Sequence, residues 1–126
     1  MSIAVNQPAT IDAILGAMPE YLNDVHRLSA EGPNCFQCHF LQGTPPVAEG
    51  PIAWAPDLDN TRSRLRPDWV REWLTDPLKI YPGTAMPANF PLDGPQWQEI
   101  WEAPSEEQIE AVTTWLFNLD RWAIQN

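Results

Sequence analysis

The residues with the most distinctive chemistry in this chain are two cysteines and a histidine in one short run. The run reads Cys35-Phe36-Gln37-Cys38-His39 and contains both cysteines of the 126-residue sequence. Two thiols at this spacing on a helical turn can each add to one vinyl group of a porphyrin, and the imidazole that follows can bind the iron. The run therefore predicts one covalently attached haem, with Cys35 and Cys38 as anchors and His39 as an iron ligand.

Two other uses of these residues stay open on the sequence alone. A zinc site needs four ligands. The cysteines and histidines of the chain are Cys35, Cys38, His39 and His26. Cys38 and His39 are adjacent in the chain, so they suit a single tetrahedral zinc ion poorly. A thioredoxin-like redox dithiol is found in a fold of alternating strands and helices, and the sequence does not show that pattern. Both interpretations are weaker than haem attachment.

A second axial ligand for the iron is offered by a methionine in a proline-rich segment. Met86 stands in the run Tyr81-Pro82-Gly83-Thr84-Ala85-Met86-Pro87. A thioether is a soft, neutral ligand that favours ferrous iron, and the flanking prolines limit the entropy lost when the sulfur is fixed. The alternatives are that Met86 only fills a loop, or that His26, expected on a helix surface, takes its place.

The elements that must position these residues are short helices joined by long loops. The pattern predicts helices over 10–30, 68–74 and from Ser105 to Leu119, loops over 43–56 and 81–95, and a turn over 96–101. The first helix is expected in two pieces, capped at Thr10 and restarted at Pro19. The predicted fold class is all-α, with three to five short helices and long loops around one haem. Residues 1–9 are assigned as an extension or linker, and residues 10–126 as the domain.

Composition excludes several classes of protein. Seventeen acidic residues against seven basic ones give a net charge of −10, which argues against nucleic acids and anionic membrane surfaces as partners. Hydrophobic residues make up 44% of the chain, too many for a disordered tail. No apolar run reaches the ~18 residues of a membrane span. The acidity fits either simple solubility or redox partner proteins with a basic docking patch.

Several further side chains are candidates for contacts with a haem. Trp69 and Trp73 stand four residues apart and share a helix face, where they either pack as core or donate to a haem propionate. The arginines that alternate before them, among them Arg64 and Arg66, are either solvated or paired with a propionate. Tyr81 is expected to be either exposed or hydrogen-bonded to a propionate or to the methionine loop. The glutamates between 99 and 110 indicate a solvated face, with docking to a basic partner as the alternative.

The two motifs, in this order, resemble the class I c-type cytochrome domain. The likeness covers about residues 21–122 and includes the segment Ala55-Pro56-Asp57-Leu58, and the run from Arg66 to Pro77 is similar to bacterial members that are domains of larger redox proteins. The resemblance implies that His39 and Met86 ligate the iron and that the Pro56 carbonyl accepts the other N–H of His39. It also implies that the first and last helices cross. The glycine that the family usually has at this crossing is absent here, and Trp115 or Phe117 is expected to supply its aromatic partner.

The resemblance further implies a function. A haem with both axial positions filled transfers electrons by cycling between Fe(III) and Fe(II) and turns over no substrate, so we expect a carrier or a relay domain and not an enzyme. A gas sensor or catalytic module in which Met86 dissociates is the alternative, and a structural haem domain is a third. In families of this kind haem attachment occurs outside the cytoplasm, so a periplasmic location is expected, although the N-terminal residues lack the features of a signal peptide.

Overall fold

The computed structural model of the protein describes residues 8–46 and 55–120, and within the first helix it describes side chains from Glu20 onward. In these residues there are helices and isolated bridges but no strands, which confirms the all-α prediction. The helices are α1 (Pro8–Glu31), α2 (Thr61–Arg64), α3 (Pro67–Thr75), α4 (Pro77–Ile80) and α5 (Ser105–Leu116). Two short 3-10 segments, Cys35–Gln37 and Leu58–Asn60, complete the helical structure.

Helix α1 is continuous, so the prediction of two pieces was wrong. It begins at Pro8, inside the segment assigned as an extension, and it passes through Pro19 without a break. An internal proline removes a hydrogen bond and costs about 3 kcal/mol. The turns that follow bury Leu22, Val25 and Leu28 at 1% exposure or less, and each such side chain stabilises by ~1.5–3 kcal/mol. Burial of this stripe therefore outweighs the cost of the proline.

Helices α3 and α4 are separated by a single residue. Helix α3 was predicted over 68–74 and runs from Pro67 to Thr75. Asp76 is extended, with φ −159° and ψ 90°, because the proline that follows it disfavours helical geometry. Pro77 then opens α4, which, like α2, has only four residues. Neither short helix was predicted, since four residues are too few to show a hydrophobic period.

Helix α5 begins at Ser105, as predicted, and packs against α1 and α3. It ends at Leu116, three residues before the predicted end of its apolar stripe. Trp115 is completely buried, and its ring centroid lies 5.7 Å from that of His26 on α1. The contact between the first and last helices therefore forms without a glycine, and Trp115 supplies its aromatic side.

The segment between α4 and α5 contains no helix among its residues, in agreement with the predicted loop over 81–95. The predicted turn that follows is closed by N–H groups of Ile100 and Trp101, which donate to Trp97 O at 3.0 and 2.9 Å. Gln108 on α5 holds this turn by donating to Gln96 O at 2.7 Å. Of the other predicted loop, residues 47–54 lie outside the described part. No helix in the described ranges is long and apolar enough to cross a membrane.

Candidate functional site

A cavity of about 870 Å³ opens between the segment after α1, the helices α3 and α5, and the loop that follows α4. This volume lies in the upper part of the range for sites that bury a small molecule or cofactor. Residues that the sequence singles out for contact with a haem line it: Cys35, Cys38, His39, Pro56, Arg64, Trp69, Trp73, Tyr81 and Met86. The remaining wall is mostly apolar and includes Leu65, Val70, Leu74, Ile80, Val112 and Leu116.

The cysteine-histidine run reaches the cavity through a tight turn. Asn34 takes a left-handed conformation, with φ 59°, and the 3-10 segment Cys35–Gln37 follows it. The N–H groups of Cys38 and His39 both donate to Cys35 O, at 3.3 and 3.0 Å. Because the turn is closed in this way, both thiols and the imidazole contribute to the same cavity wall.

The His39 ring is held by the main chain of the segment 55–58. Its Nδ1–H donates to Pro56 O at 2.7 Å, which is the bond that the sequence resemblance implied. Main-chain bonds from Ala55 N to Cys38 O at 2.7 Å and from Leu58 N to Phe40 O at 3.0 Å fix the two segments side by side. Burial lowers the pKa of His39, and the bond to Pro56 opposes that shift. The ring is therefore neutral near pH 7, with Nε2 as its lone-pair nitrogen.

The two cysteines are free thiols. Burial raises the pKa of Cys35 to about 11, although hydrogen bonds from its own backbone and from Ser29 oppose the shift. A redox dithiol needs a cysteine whose pKa is lowered, so this environment disfavours the dithiol interpretation. No group of three or more His, Cys, Asp or Glu side chains in the described ranges is arranged to hold a metal ion, so the zinc interpretation gains no geometric support.

Met86 lies half-buried on the cavity wall. Its main-chain N–H donates to Thr84 Oγ1 at 3.2 Å, which restrains the loop just before the side chain. Its sulfur accepts a hydrogen bond from Trp73 Nε1 at 2.9 Å. The contact with Trp73 was not predicted, because the two residues belong to different elements and no local pattern connects them.

Trp69 and Trp73 share a face of α3, as predicted from their spacing. Their rings stack with centroids 5.3 Å apart and planes inclined by 13°. Both line the cavity, and Trp69 is 38% exposed whereas Trp73 is half-buried. The pair thus forms an aromatic wall that extends from the cavity to the protein surface.

The arginines before α3 differ in position. Arg64 lines the cavity, and no ion pair is seen for it among the described residues. Arg66 precedes α3 at its N-cap and does not line the cavity, and Arg62 pairs with Asp120 at 3.2 Å. Arg64 is therefore the arginine best placed to meet an anionic group of a bound cofactor.

Tyr81 lies at the exposed end of the cavity wall, with 61% of its surface accessible.

His26 is half-buried, and the expectation of a surface histidine was wrong. Its ring lies 5.1 Å from that of Phe36 and 5.7 Å from that of Trp115, and it does not line the cavity. Burial lowers its pKa. The sequence pattern predicts a polar helix face at this position, but its aromatic neighbours come from two other segments that only the fold brings together. The exposed glutamates between 99 and 110 do form a solvated face, as predicted.

Comparison of the sequence with protein-family models and with curated proteins gives no match to either.

Proposed function

We propose that this chain is an electron-transfer domain that carries one c-type haem, covalently attached, in the cavity between α3 and α5. The observation that carries the proposal is the convergence of four side chains from two distant segments on this one cavity: Cys35, Cys38, His39 and Met86. An apolar cavity of about 870 Å³ lined by two thiols, an imidazole and a thioether matches the donor set that a c-type haem requires.

Each of these residues has a specific role in the proposal. Cys35 and Cys38 would hold the porphyrin through thioether bonds, and His39 and Met86 would bind its iron. When bound, the haem supplies a one-electron couple between Fe(III) and Fe(II). A thioether is a neutral ligand, and in this role Met86 would favour the reduced state.

The chain keeps these ligands in place. Pro56 O holds the His39 ring at 2.7 Å, and Thr84 and Trp73 hold Met86 through its main-chain N–H and its sulfur. Ligands fixed in this way would change position little between the two oxidation states, and small movements suit rapid electron transfer. Because His39 and Met86 would both bind the iron and leave no place for a substrate, we propose a carrier or a relay domain and not an enzyme.

The surroundings of the cavity also support the proposal. Apolar side chains of α3 and α5 line the cavity, and a low-polarity shell is one of the means by which proteins set the potential of a metal centre. Arg64 is placed to pair with a propionate, which is a carboxylate. The net charge of −10 would steer a basic partner towards this protein, in a reaction that slows as salt is added. We further propose a periplasmic location, where such haems are attached.

Expression in a bacterial host with a c-type haem-attachment system and an export signal tests the proposal. We expect the intact mass to rise by one haem, to remain after acid and organic extraction, and to be lost in the double variant Cys35→Ala, Cys38→Ala. The control is His26→Gln, at a residue that does not line the cavity, and it is expected to retain the haem.

The state of the iron then separates a carrier from a sensor. In the carrier, ferric protein shows a sulfur-to-iron charge-transfer band that disappears in Met86→Leu, and the ferrous spectrum does not change under CO. Absence of attached haem would overturn the proposal. Ready binding of CO to the native ferrous protein would instead support a gas sensor or catalytic module in which Met86 dissociates.

A further inference from the structure

Trp97 follows the methionine loop, which is the segment 81–95 that carries Met86, and its backbone has a conformation that bulky side chains rarely adopt. Its φ is 62°, in the left-handed region that glycine and asparagine enter most readily. The turn is held in this conformation by Gln108 of α5, which is completely buried and donates to Gln96 O at 2.7 Å. A bulky residue that the surrounding structure keeps in an unfavourable conformation points to a role for its side chain.

The Trp97 indole contacts both segments that carry the proposed iron ligands. Its Nε1–H donates to Asn89 O at 2.8 Å, and Asn89 stands three residues after Met86 and lines the cavity. The ring packs on Gly32, where a Cβ atom would lie only 3.1 Å from a ring atom, and Gly32 stands three residues before Cys35. One half-buried side chain therefore connects the two segments.

We propose that Trp97 is a positioning residue that ties the methionine loop to the chain at the end of α1 and so keeps Met86 on the haem iron. The inference rests on the proposed function. Pro87 stiffens the short stretch between Met86 and Asn89, so Asn89 is expected to move when the sulfur leaves the iron. That movement breaks the hydrogen bond to Trp97, whose ring stays packed on Gly32. The indole thus controls how readily another ligand reaches the iron.

The methionine loop has a second anchor on α5. Ser105, which is completely buried, donates from its Oγ to Pro91 O at 2.6 Å. The neighbouring Phe90 is buried at 1% exposure. Because this end of the loop is fixed independently of Trp97, loss of the Trp97 bond alone is expected to loosen Met86 without unfolding the loop.

Binding of imidazole to the ferric, haem-loaded protein tests the proposal, because imidazole competes with the Met86 sulfur for the iron. Its apparent affinity rises with the fraction of protein in which the sulfur has left the iron. Trp97→Phe keeps an aromatic ring and removes the N–H donor, so we expect this affinity to rise about fivefold, the factor that one hydrogen bond contributes. Loss of the sulfur-to-iron charge-transfer band during the titration provides the measurement.

The matched control is Trp101→Phe in the same turn. The Trp101 ring contacts Tyr21 of α1, with centroids 5.8 Å apart, and its variant should bind imidazole as the wild type does. If Trp97→Phe binds imidazole no more tightly than the wild type, or if Trp101→Phe gains as much, Trp97 only stabilises the fold and the positioning role is overturned, while the proposed function stands. If no haem is attached to the wild type, or if its charge-transfer band does not depend on Met86, both fail.

The variant Trp97→Gly separates the ring from the backbone. Glycine adopts a φ of 62° at little cost, so this variant relieves the backbone strain and at the same time removes the indole. We expect its affinity for imidazole to rise at least as much as that of Trp97→Phe. An affinity equal to that of the wild type would also overturn the positioning role.

Hydrogen exchange in the wild type covers the case in which neither variant at position 97 folds. We expect the indole N–H of Trp97 to exchange with solvent faster when imidazole saturates the iron, because the methionine loop then moves and the bond to Asn89 O breaks. The indole N–H of Trp115, which is completely buried, is the internal control and should exchange at an unchanged rate. Equal exchange of the Trp97 N–H with and without imidazole would contradict the proposal.

Discussion

Arg71 on α3 forms a bidentate ion pair with Glu110 on α5. Its Nε donates to Glu110 Oε2 at 2.6 Å and its Nη2 to Oε1 at 3.1 Å, while Nη1 donates to Asp68 Oδ1 at 2.7 Å. The two helices on either side of this ion pair supply much of the apolar wall of the cavity. The pair therefore links two cavity walls on the outside of the protein.

A double-mutant cycle measures what this ion pair contributes. We expect a coupling energy of about 0.5–1 kcal/mol between Arg71→Gln and Glu110→Gln, because the pair is bidentate but well exposed. Unfolding in urea at low and high salt provides the measurement, and salt should shrink the coupling. The pair Arg27 and Glu31 within α1 is the control, for which about 0.3–0.5 kcal/mol is expected. An equal coupling in both cycles would show that the bidentate contact between helices adds nothing.

Gly32, just after α1, is expected to tolerate no side chain. A Cβ atom there would lie 2.8 Å from Leu28 O and 3.1 Å from a ring atom of Trp97. Crowding of this kind costs about 1–3 kcal/mol, so Gly32→Ala should lower the free energy of unfolding by that amount. At Gly94 nothing lies within 4 Å of the position that a Cβ atom would take, and φ is not in the left-handed range. Gly94→Ala is therefore the control and should be neutral or stabilise by up to ~1 kcal/mol in the same denaturation assay.

The stability of the protein should decrease as the pH falls, partly because of His26. Burial lowers the pKa of His26 in the folded state, so below the unfolded value of about 6.5 the unfolded chain binds a proton that the folded one resists. This contribution to stability is present above about pH 6.5 and is lost as the pH falls through the folded pKa.

The experiment compares urea unfolding of the wild type and His26→Gln from about pH 7.5 to about pH 5, a range that spans the ordinary pKa of histidine. We expect the wild type to lose stability relative to the variant as the pH falls. His39 is present in both proteins, so its own titration cancels in the difference. If the free energies of unfolding of the two proteins changed in parallel with pH, His26 would not contribute to the pH dependence.

Arg64 and Arg66 provide a matched pair for the electrostatics of the cavity. A cation near the haem disfavours the more positive ferric state, and its removal lowers the potential. Arg64 lines the cavity and Arg66 does not. We expect Arg64→Gln to lower the midpoint potential by an amount on the order of tens of millivolts, and Arg66→Gln by clearly less. Protein-film voltammetry measures both, and a larger effect of Arg66→Gln would rule out Arg64 as the propionate partner.

The parts of the site that the sequence predicts best are those whose chemistry is local. Two local patterns single out four residues that line the same cavity. One is the spacing of Cys35, Cys38 and His39 within one turn, and the other is the pair of prolines, Pro82 and Pro87, on either side of Met86. Local signals also found the start of α5, because Glu106 and Glu107 stand in its first turn, where the helix dipole favours negative charge.

The parts that were missed depend on contacts between distant segments. The continuity of α1 through Pro19 depends on burial against α5, and the half-burial of His26 depends on rings contributed by Phe36 and Trp115. The bond from Trp73 to Met86 joins a helix and a loop whose relative position no periodicity encodes. Side-chain partners of this kind are decided by packing, so they become visible only in the fold.

The bond from His39 to Pro56 O is robust to mutation in a way that bonds between side chains are not. Its acceptor is a main-chain carbonyl, and every amino acid has one. A single substitution at position 56 therefore changes the side chain and leaves the acceptor in place. Apart from replacement of His39 itself, only changes that move the backbone can remove the bond, such as insertions or deletions between these two residues, which stand 17 positions apart. Genetic drift in this protein should therefore alter the length of that interval far less freely than the identity of residue 56.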